Sequence, residues 1–183
     1  MTGASGSMYA QRLLAQLAEM ETESHLVVSK AARMTLAYEM GDAAELGPAT
    51  AQYGFQDVGA PIASGSFKTL GMIVAPCSIK TMSEIATGVT SSLLTRAADV
   101  CLKEKRPLIL MVRETPFHLG HLRTMTALAE MGAIIAPPLP AFYAEPQTVE
   151  EMVDQSVGRC LDLLGLNSPV TRRWGEDLEK GKR

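Results

Sequence analysis

Cysteine is scarce: Cys77, Cys101 and Cys160 are the only three in 183 residues, without CxxC or Cys/His metal spacing. An odd count with that spacing argues against a disulfide framework and a zinc site, and leaves three small residues suited to burial. Positive charge is not in excess, since 17 Lys and Arg face 20 Asp and Glu for a net charge of -3. The electrostatic footprint of a nucleic-acid binder is therefore missing. No stretch reaches the roughly 18 apolar residues of a membrane span, and no charged-then-apolar leader opens the chain. A cytoplasmic protein is expected. There is no internal repeat, no low-complexity segment and no Asp-rich DDxxD-like cluster of the kind that holds magnesium.

What is present points to one packed domain. With 46% hydrophobic residues the chain is long enough for a single well-buried core. Short β-rich runs alternate with longer amphipathic ones, which predicts a parallel sheet with helices on both faces. Helices are expected over 7–20, 30–40, 78–87, 91–105, 117–131 and 147–164, and strands over 25–29, 71–76, 107–112 and 133–136. Residues 41–66 read as irregular, with room for a short helix or strand. The expected α/β domain covers 1–166, and 167–183 form a polar C-terminal tail suited to the surface. Only Met1 and Thr2 precede the first Gly-rich turn, so the first strand of the sheet is expected to be missing or truncated.

Two small-residue turns stand where a strand should hand over to a helix: Thr2-Gly-Ala-Ser-Gly6 and Ala75-Pro-Cys-Ser-Ile-Lys-Thr81. Open α/β sheets hold phosphorylated ligands at such turns. Gly3, Ala4, Ser5 and Gly6 let backbone N–H groups approach a ligand, while Ser5 or Ser7 would serve equally as a helix cap. Arg96 and Lys103 lie two helical turns apart and can face one anion; with Asp99 between them they also form an ordinary surface ladder. Spacing alone favours the ladder. Arg159 can pair with Asp162, Tyr143 can be a half-buried aromatic, and Ser64-Gly65 can be a plain turn. Pro137-Pro-Leu-Pro140 reads as a stiff connection that fixes where Tyr143 points. His118 and His121 stand at i, i+3 near Glu114, but no further ligand has suitable spacing and no metal is expected.

Several motifs together carry a resemblance. Thr2-Gly-Ala-Ser-Gly6, Val28-Ser-Lys-Ala-Ala32, Ala63-Ser-Gly-Ser66, Ala75-Pro-Cys-Ser-Ile-Lys-Thr81, Thr95-Arg-Ala-Ala-Asp-Val100, Val112-Arg-Glu-Thr-Pro116, Pro140-Ala-Phe-Tyr143 and Arg173-Trp-Gly-Glu176 occur in the order seen in UbiX-type flavin prenyltransferases. The chain resembles that family over nearly its whole length. The resemblance implies a Rossmann-like, flavodoxin-like fold and an enzyme that joins a dimethylallyl group to N5 and C6 of reduced FMN. The product, prenylated FMN, would serve UbiD-type decarboxylases in ubiquinone biosynthesis or aromatic acid degradation.

Matching positions imply the roles. Gly3, Ala4, Ser5, Ser29, Ser78, Ile79, Lys80, Thr81 and Arg113 fall on flavin-binding positions. Ser64, Gly65, Arg96, Lys103, Tyr143 and Arg159 fall on positions for the substrate phosphate. Ser5, Glu39, Glu114 and Lys103 are the implied catalytic residues. Dimethylallyl phosphate is the implied donor, with the diphosphate used by some relatives left open, and transfer needs no metal, the cations and the Tyr143 hydroxyl stabilising the departing phosphate. The released phosphate, Glu114 or the Ser5 and Glu39 pair would take the C6 proton. The resemblance also implies a homo-oligomer, a trimer-based dodecamer with the flavin between subunits and Glu114 acting across an interface. Two other readings stand beside it: a flavin-dependent cysteine decarboxylase-like enzyme and a non-catalytic FMN-binding protein. The turn at 75–81 is not PASANT-like and His25 falls on an expected strand, which counts against the former.

Overall fold

Burial along the central strands explains the architecture of the chain, whose computed structural model describes residues 1–176. In β4 (Leu108–Val112) all five residues are buried, the mark of a central strand covered on both faces. Leu108, Leu110 and Val112 pack on one side with Met82, Ile85, Ala98 and Leu128. Ile109 and Met111 point the other way, against Leu13, Val153, Val157 and Leu161. The first side is covered by α3 (Ile79–Ala86), α4 (Leu93–Lys103) and α5 (Leu119–Glu130), the second by α1 (Ser7–Glu19), α2 (Lys30–Met40) and α6 (Val149–Leu163). This is the expected doubly wound α/β layer.

The pairings are parallel throughout. β3 (Met72–Cys77) pairs with β4, and β4 with β5 (Ile134–Ile135). On the other flank β1 (His25–Val27) pairs with β2 (Ala51–Tyr53), a short strand inside the region expected to be irregular. Between β1 and β3 stand only Met1 and Thr2. The Met1 amine donates to Val27 O at 2.9 Å, Ser29 N donates to Met1 O at 3.2 Å, and Thr2 N donates to Pro76 O at 3.2 Å. These bonds follow a parallel ladder, so the two residues bridge the two halves of the sheet.

Serines and threonines set the helix starts. Ser29, Ser78, Ser92 and Thr148 each accept a bond from the third residue ahead, and Ser92 forms a reciprocal capping box with Thr95. α1 differs, because its N-cap is Gly6 at φ +107 with no side-chain cap of its own. Neither Ser5 nor Ser7 fills that position.

The segment after α6 departs from the expected surface tail over its described part. Ser168 and Thr171 are buried. Ser168 donates to Gln16 Oε1 at 2.8 Å, and Arg172 N donates to Gln155 Oε1 at 2.9 Å. Polar residues dock here because the groups they meet, Gln16 and Gln155, are buried and need partners. The rest of the tail, 177–183, lies outside the described residues. Among the described residues no helix is long and apolar enough to cross a membrane.

Candidate functional site

Parallel strands deliver their following helices to one edge of the sheet, so the N-termini of α1, α2 and α3 arrive side by side. Thr2 ties two of the turns together: its hydroxyl donates to Pro76 O at 2.9 Å and accepts from Ser78 N at 2.8 Å. Met1 ties in the third through Ser29 N. Thr2 was not singled out as a site residue from sequence. The only available signal was its place directly before Gly3, where a buried hydroxyl can bond across to a neighbouring strand.

Gly3, Ala4 and Ser5 form the first turn. A Cβ on Gly3 would run into Ala31 at the start of α2, so its glycine is required by packing between turns as well as by any ligand. Ser29 and Ser78 cap α2 and α3, accepting from Ala32 N at 3.1 Å and Thr81 N at 3.3 Å. Ile79, Lys80 and Thr81 open α3, and the Lys80 side chain is exposed with Glu84 at 3.8 Å. Arg113, just past β4, reaches back and donates from Nε to Ser5 O at 3.2 Å. Three helix N-termini and one guanidinium thus face the same edge, a setting that favours an anion.

Glu39 lies at the end of α2 yet closes over the start of α1. Its carboxylate accepts from Gly6 N at 2.9 Å and Ser7 N at 2.7 Å. Partial burial pushes its pKa up, but bonds from Ser7 N, the Ser5 hydroxyl and Gly6 N outweigh it and hold the carboxyl below its ordinary range. Ser5 and Glu39, far apart in sequence, are therefore in contact. Glu114 is exposed beyond β4 and accepts from Thr115 N at 3.0 Å. His118 caps α5, its Nδ1 accepting from Gly120 N at 3.0 Å, and its ring stacks at 3.6 Å from that of His121.

The six expected phosphate residues fall into two groups. In the first, Arg96 donates to Ala63 O at 3.1 Å and pairs with Asp99 at 2.8 Å, while Lys103 pairs with Glu104 rather than with Asp99. A Cβ on Gly65 would press on both Lys103 and Glu104, so Ser64-Gly65, Arg96 and Lys103 adjoin at α4. Tyr143 and Arg159 form the second group, beside α6. Gln155 donates to the Tyr143 hydroxyl at 3.4 Å, and Arg159 pairs with Asp162 at 2.7 Å beside the loop 137–139. The two groups thus lie on and beside α4 and α6, which cover opposite faces of the sheet.

Of the thiols, only Cys77 lies at this edge, at the end of β3 directly before Ser78. All three are free and buried, and burial pushes Cys77 up to about 12 and Cys101 and Cys160 up to about 11. Among the described residues no group of three or more His, Cys, Asp or Glu is placed to hold a metal ion.

Comparisons with known proteins agree on one family. The family described as Flavoprotein matches residues 1–161. The flavin prenyltransferase UbiX of Thauera aromatica is 50% identical over 182 residues, covering 98% of this chain and 94% of that protein. A crystal structure of AnUbiX (PadA1) in complex with FMN and dimethylallyl pyrophosphate superposes with a TM-score of 0.90 at 44% identity, covering 96% of this chain and 94% of that one. A dodecameric FMN-dependent Ubix-like decarboxylase from Escherichia coli O157:H7 gives 0.87 at 45% identity, covering 95% and 99%.

Proposed function

Because the chain belongs to the flavoprotein family, and within it to the UbiX flavin prenyltransferases, we propose that it transfers a dimethylallyl group from dimethylallyl phosphate to reduced FMN. The observation that carries this reading is the convergence of three helix N-termini with Arg113 at one sheet edge, in a chain half identical to a flavin prenyltransferase. The donor set fits the ligand. Backbone N–H groups of the first turn, the capped starts of α2 and α3 and a guanidinium suit a phosphorylated, electron-rich ring.

Gly3, Ala4, Ser5, Ser29, Ser78 to Thr81 and Arg113 would hold the flavin. Reduced FMN supplies the nucleophile, N5 and then C6, and its product is prenylated FMN. Breaking the allylic carbon–oxygen bond puts extra negative charge on the phosphate, which Arg96, Lys103, Arg159 and the Tyr143 hydroxyl would stabilise. Glu39 is held ionised and touches the Ser5 hydroxyl. That pair is suited to pass the C6 proton outward, with Glu114 or the leaving phosphate as the other acceptors.

The split between α4 and α6 supports a homo-oligomer in which one copy supplies Arg96 and Lys103 and another supplies Tyr143 and Arg159. Exposed Tyr38, Leu139, Phe142 and Trp174 give such contacts apolar surface, and the dodecameric E. coli relative is a precedent for the trimer-based dodecamer. A UbiD-type decarboxylase is the proposed recipient of the product. A cytoplasmic setting suits three free, buried thiols. Neither a cysteine decarboxylase nor a non-catalytic flavin carrier is favoured, given 50% identity along nearly the whole chain.

The test is anaerobic incubation with reduced FMN and dimethylallyl phosphate, followed by mass spectrometry of the extracted flavin. A gain of one C5H8 unit is expected. Unmodified flavin, with binding confirmed and the diphosphate also tried, overturns the proposal.

A further inference from the structure

Between the single turn of 3-10 helix at Pro61–Ala63 and β3 the chain makes a loop with no ladder of its own, so its backbone groups need other partners. Two arginines supply them. Arg96 Nε donates to Ala63 O at 3.1 Å, and Arg106 donates to two further carbonyls, from Nη2 to Gly65 O and from Nη1 to Phe67 O, both at 2.7 Å. The same Nη1 lies 3.4 Å from the Thr69 hydroxyl. One guanidinium thus spans the loop across carbonyls 65 and 67, a use of its rigid fork that an ammonium cannot copy.

Arg106 is itself held by the way α4 ends. Lys105 is left-handed at φ +56, its N–H donates to Leu102 O at 3.1 Å, and Arg106 N donates to Cys101 O at 2.8 Å. These are the paired bonds of a Schellman terminus, so Arg106 leaves the helix in a fixed direction, three residues beyond Lys103.

Pinning the Gly65 carbonyl also fixes the far side of that peptide. The Gly65–Ser66 bond is trans, so the Ser66 N–H points away from the guanidinium. No acceptor among the described residues takes that hydrogen. A carbonyl bonded to a cation polarises its own peptide unit, which makes the N–H a stronger donor. Around it stand the exposed Ser64 and Ser66 hydroxyls, 2.9 Å apart, and the Lys103 amine, which would lie 2.6 Å from a Cβ on Gly65. These groups can all donate to an anion, whereas the Arg106 fork is taken up by carbonyls.

We propose that Arg106 is a positioning residue for the donor phosphate: by holding the Gly65 and Phe67 carbonyls it turns the donors of Ser64-Gly65-Ser66, together with Lys103, toward one phosphoryl group. The proposal rests on the prenyltransferase reading only for the identity of the phosphate ester. Its test compares the full chain with Arg106→Ala and Arg106→Lys, using inorganic phosphate in calorimetry of the FMN-loaded protein and dimethylallyl phosphate in the transfer assay. Arg106→Ala should weaken phosphate binding and raise the donor KM by about tenfold or more, with kcat lowered less than about threefold. FMN affinity should stay within about twofold, because no bond from Arg106 reaches the first turn. Low-millimolar guanidinium should restore phosphate binding in Arg106→Ala, since the free ion can bridge the same carbonyls, and methylammonium should not. Arg106→Lys keeps the charge and the stem, yet should still bind phosphate at least about fivefold more weakly than wild type.

Wild-type phosphate affinity and donor KM in either variant, or a loss that guanidinium does not reverse, overturns the proposal. So does a parallel loss of FMN affinity, which would make Arg106 a general support of the fold, and so does a wild-type chain that binds no phosphate. If wild type binds phosphate in this Arg106-dependent way but adds no C5H8 unit to FMN, the prenyltransferase reading fails and the positioning role stands.

Discussion

Two charged groups near the start of the chain show how single residues tie fold to function. Glu39 substitutes for the side-chain cap that Gly6 cannot provide, accepting from Gly6 N and Ser7 N. Glu39→Gln keeps the shape but halves the acceptor capacity and removes the charge at a helix N-terminus, so a loss of about 1 kcal/mol is expected. Its folded pKa lies below the ordinary value. Its stabilisation is therefore complete above the ordinary carboxylate range and lost as pH falls through the folded pKa. Acid denaturation monitored for wild type and Glu39→Gln should converge at low pH; curves that stay parallel would sink the assignment. The Met1 amine behaves in the same sense for a different reason. Desolvation lowers it from 8.0 to about 5, with the nearby Cys77 opposing weakly. Above 8 the amine is neutral in both states, and below 5 it is charged in both, so stability falls as pH drops from 8 to 5 by up to about 4 kcal/mol. Nα-acetylation should remove that pH dependence. An unchanged slope between pH 8 and 5 would show the amine reaching water.

Among the elements, α6 with the segment that follows it makes the sharpest case. A Cβ on Gly158 would collide with Thr171 and crowd Ser168, so Gly158→Ala should expel residues 168–172 from their seat against α1 and α6. A cost of about 1–3 kcal/mol is expected from overpacking, with faster exchange at Arg172 N as the specific mark. Unaltered stability would mean that the seat yields freely. This docking was not legible in the sequence, because Ser168 and Thr171 read as polar surface until their partners are known. The strand-to-helix turns were legible: a short apolar run followed by Ser29 or Ser78 specifies both the end of a strand and the cap of a helix locally. The contact of Glu39 with the first turn was not, since it depends on α1 and α2 lying together on one face. Likewise the seven-residue spacing of Arg96 and Lys103 fixes a shared helix face but not their partners. Asp99 satisfies Arg96, whereas Glu104 takes Lys103.

Across the whole molecule, the proposed division of the phosphate-binding cations between α4 and α6 bears on how many chains one site would need. α4 and α6 cover opposite faces of the sheet, so Lys103 and Arg159 start from opposite sides of it. A closed symmetric assembly in which one copy's α4 edge met another copy's α6 edge would bring them to one phosphate. The consequence is a complementation test. Lys103→Ala and Arg159→Ala should each depress donor use strongly while leaving FMN binding nearly intact, since neither residue contacts the first turn. Co-expressed as a mixture, the two variants would assemble at random, and roughly a quarter of interfaces would pair an intact Lys103 with an intact Arg159. Activity should therefore return to roughly a quarter of wild type in mixed oligomers and to none when separately purified proteins are combined without subunit exchange. Recovery is possible only if the two residues reach one phosphate from different chains. Mixed oligomers as inactive as either parent would place both residues in a single-chain site and remove the reason for the assembly.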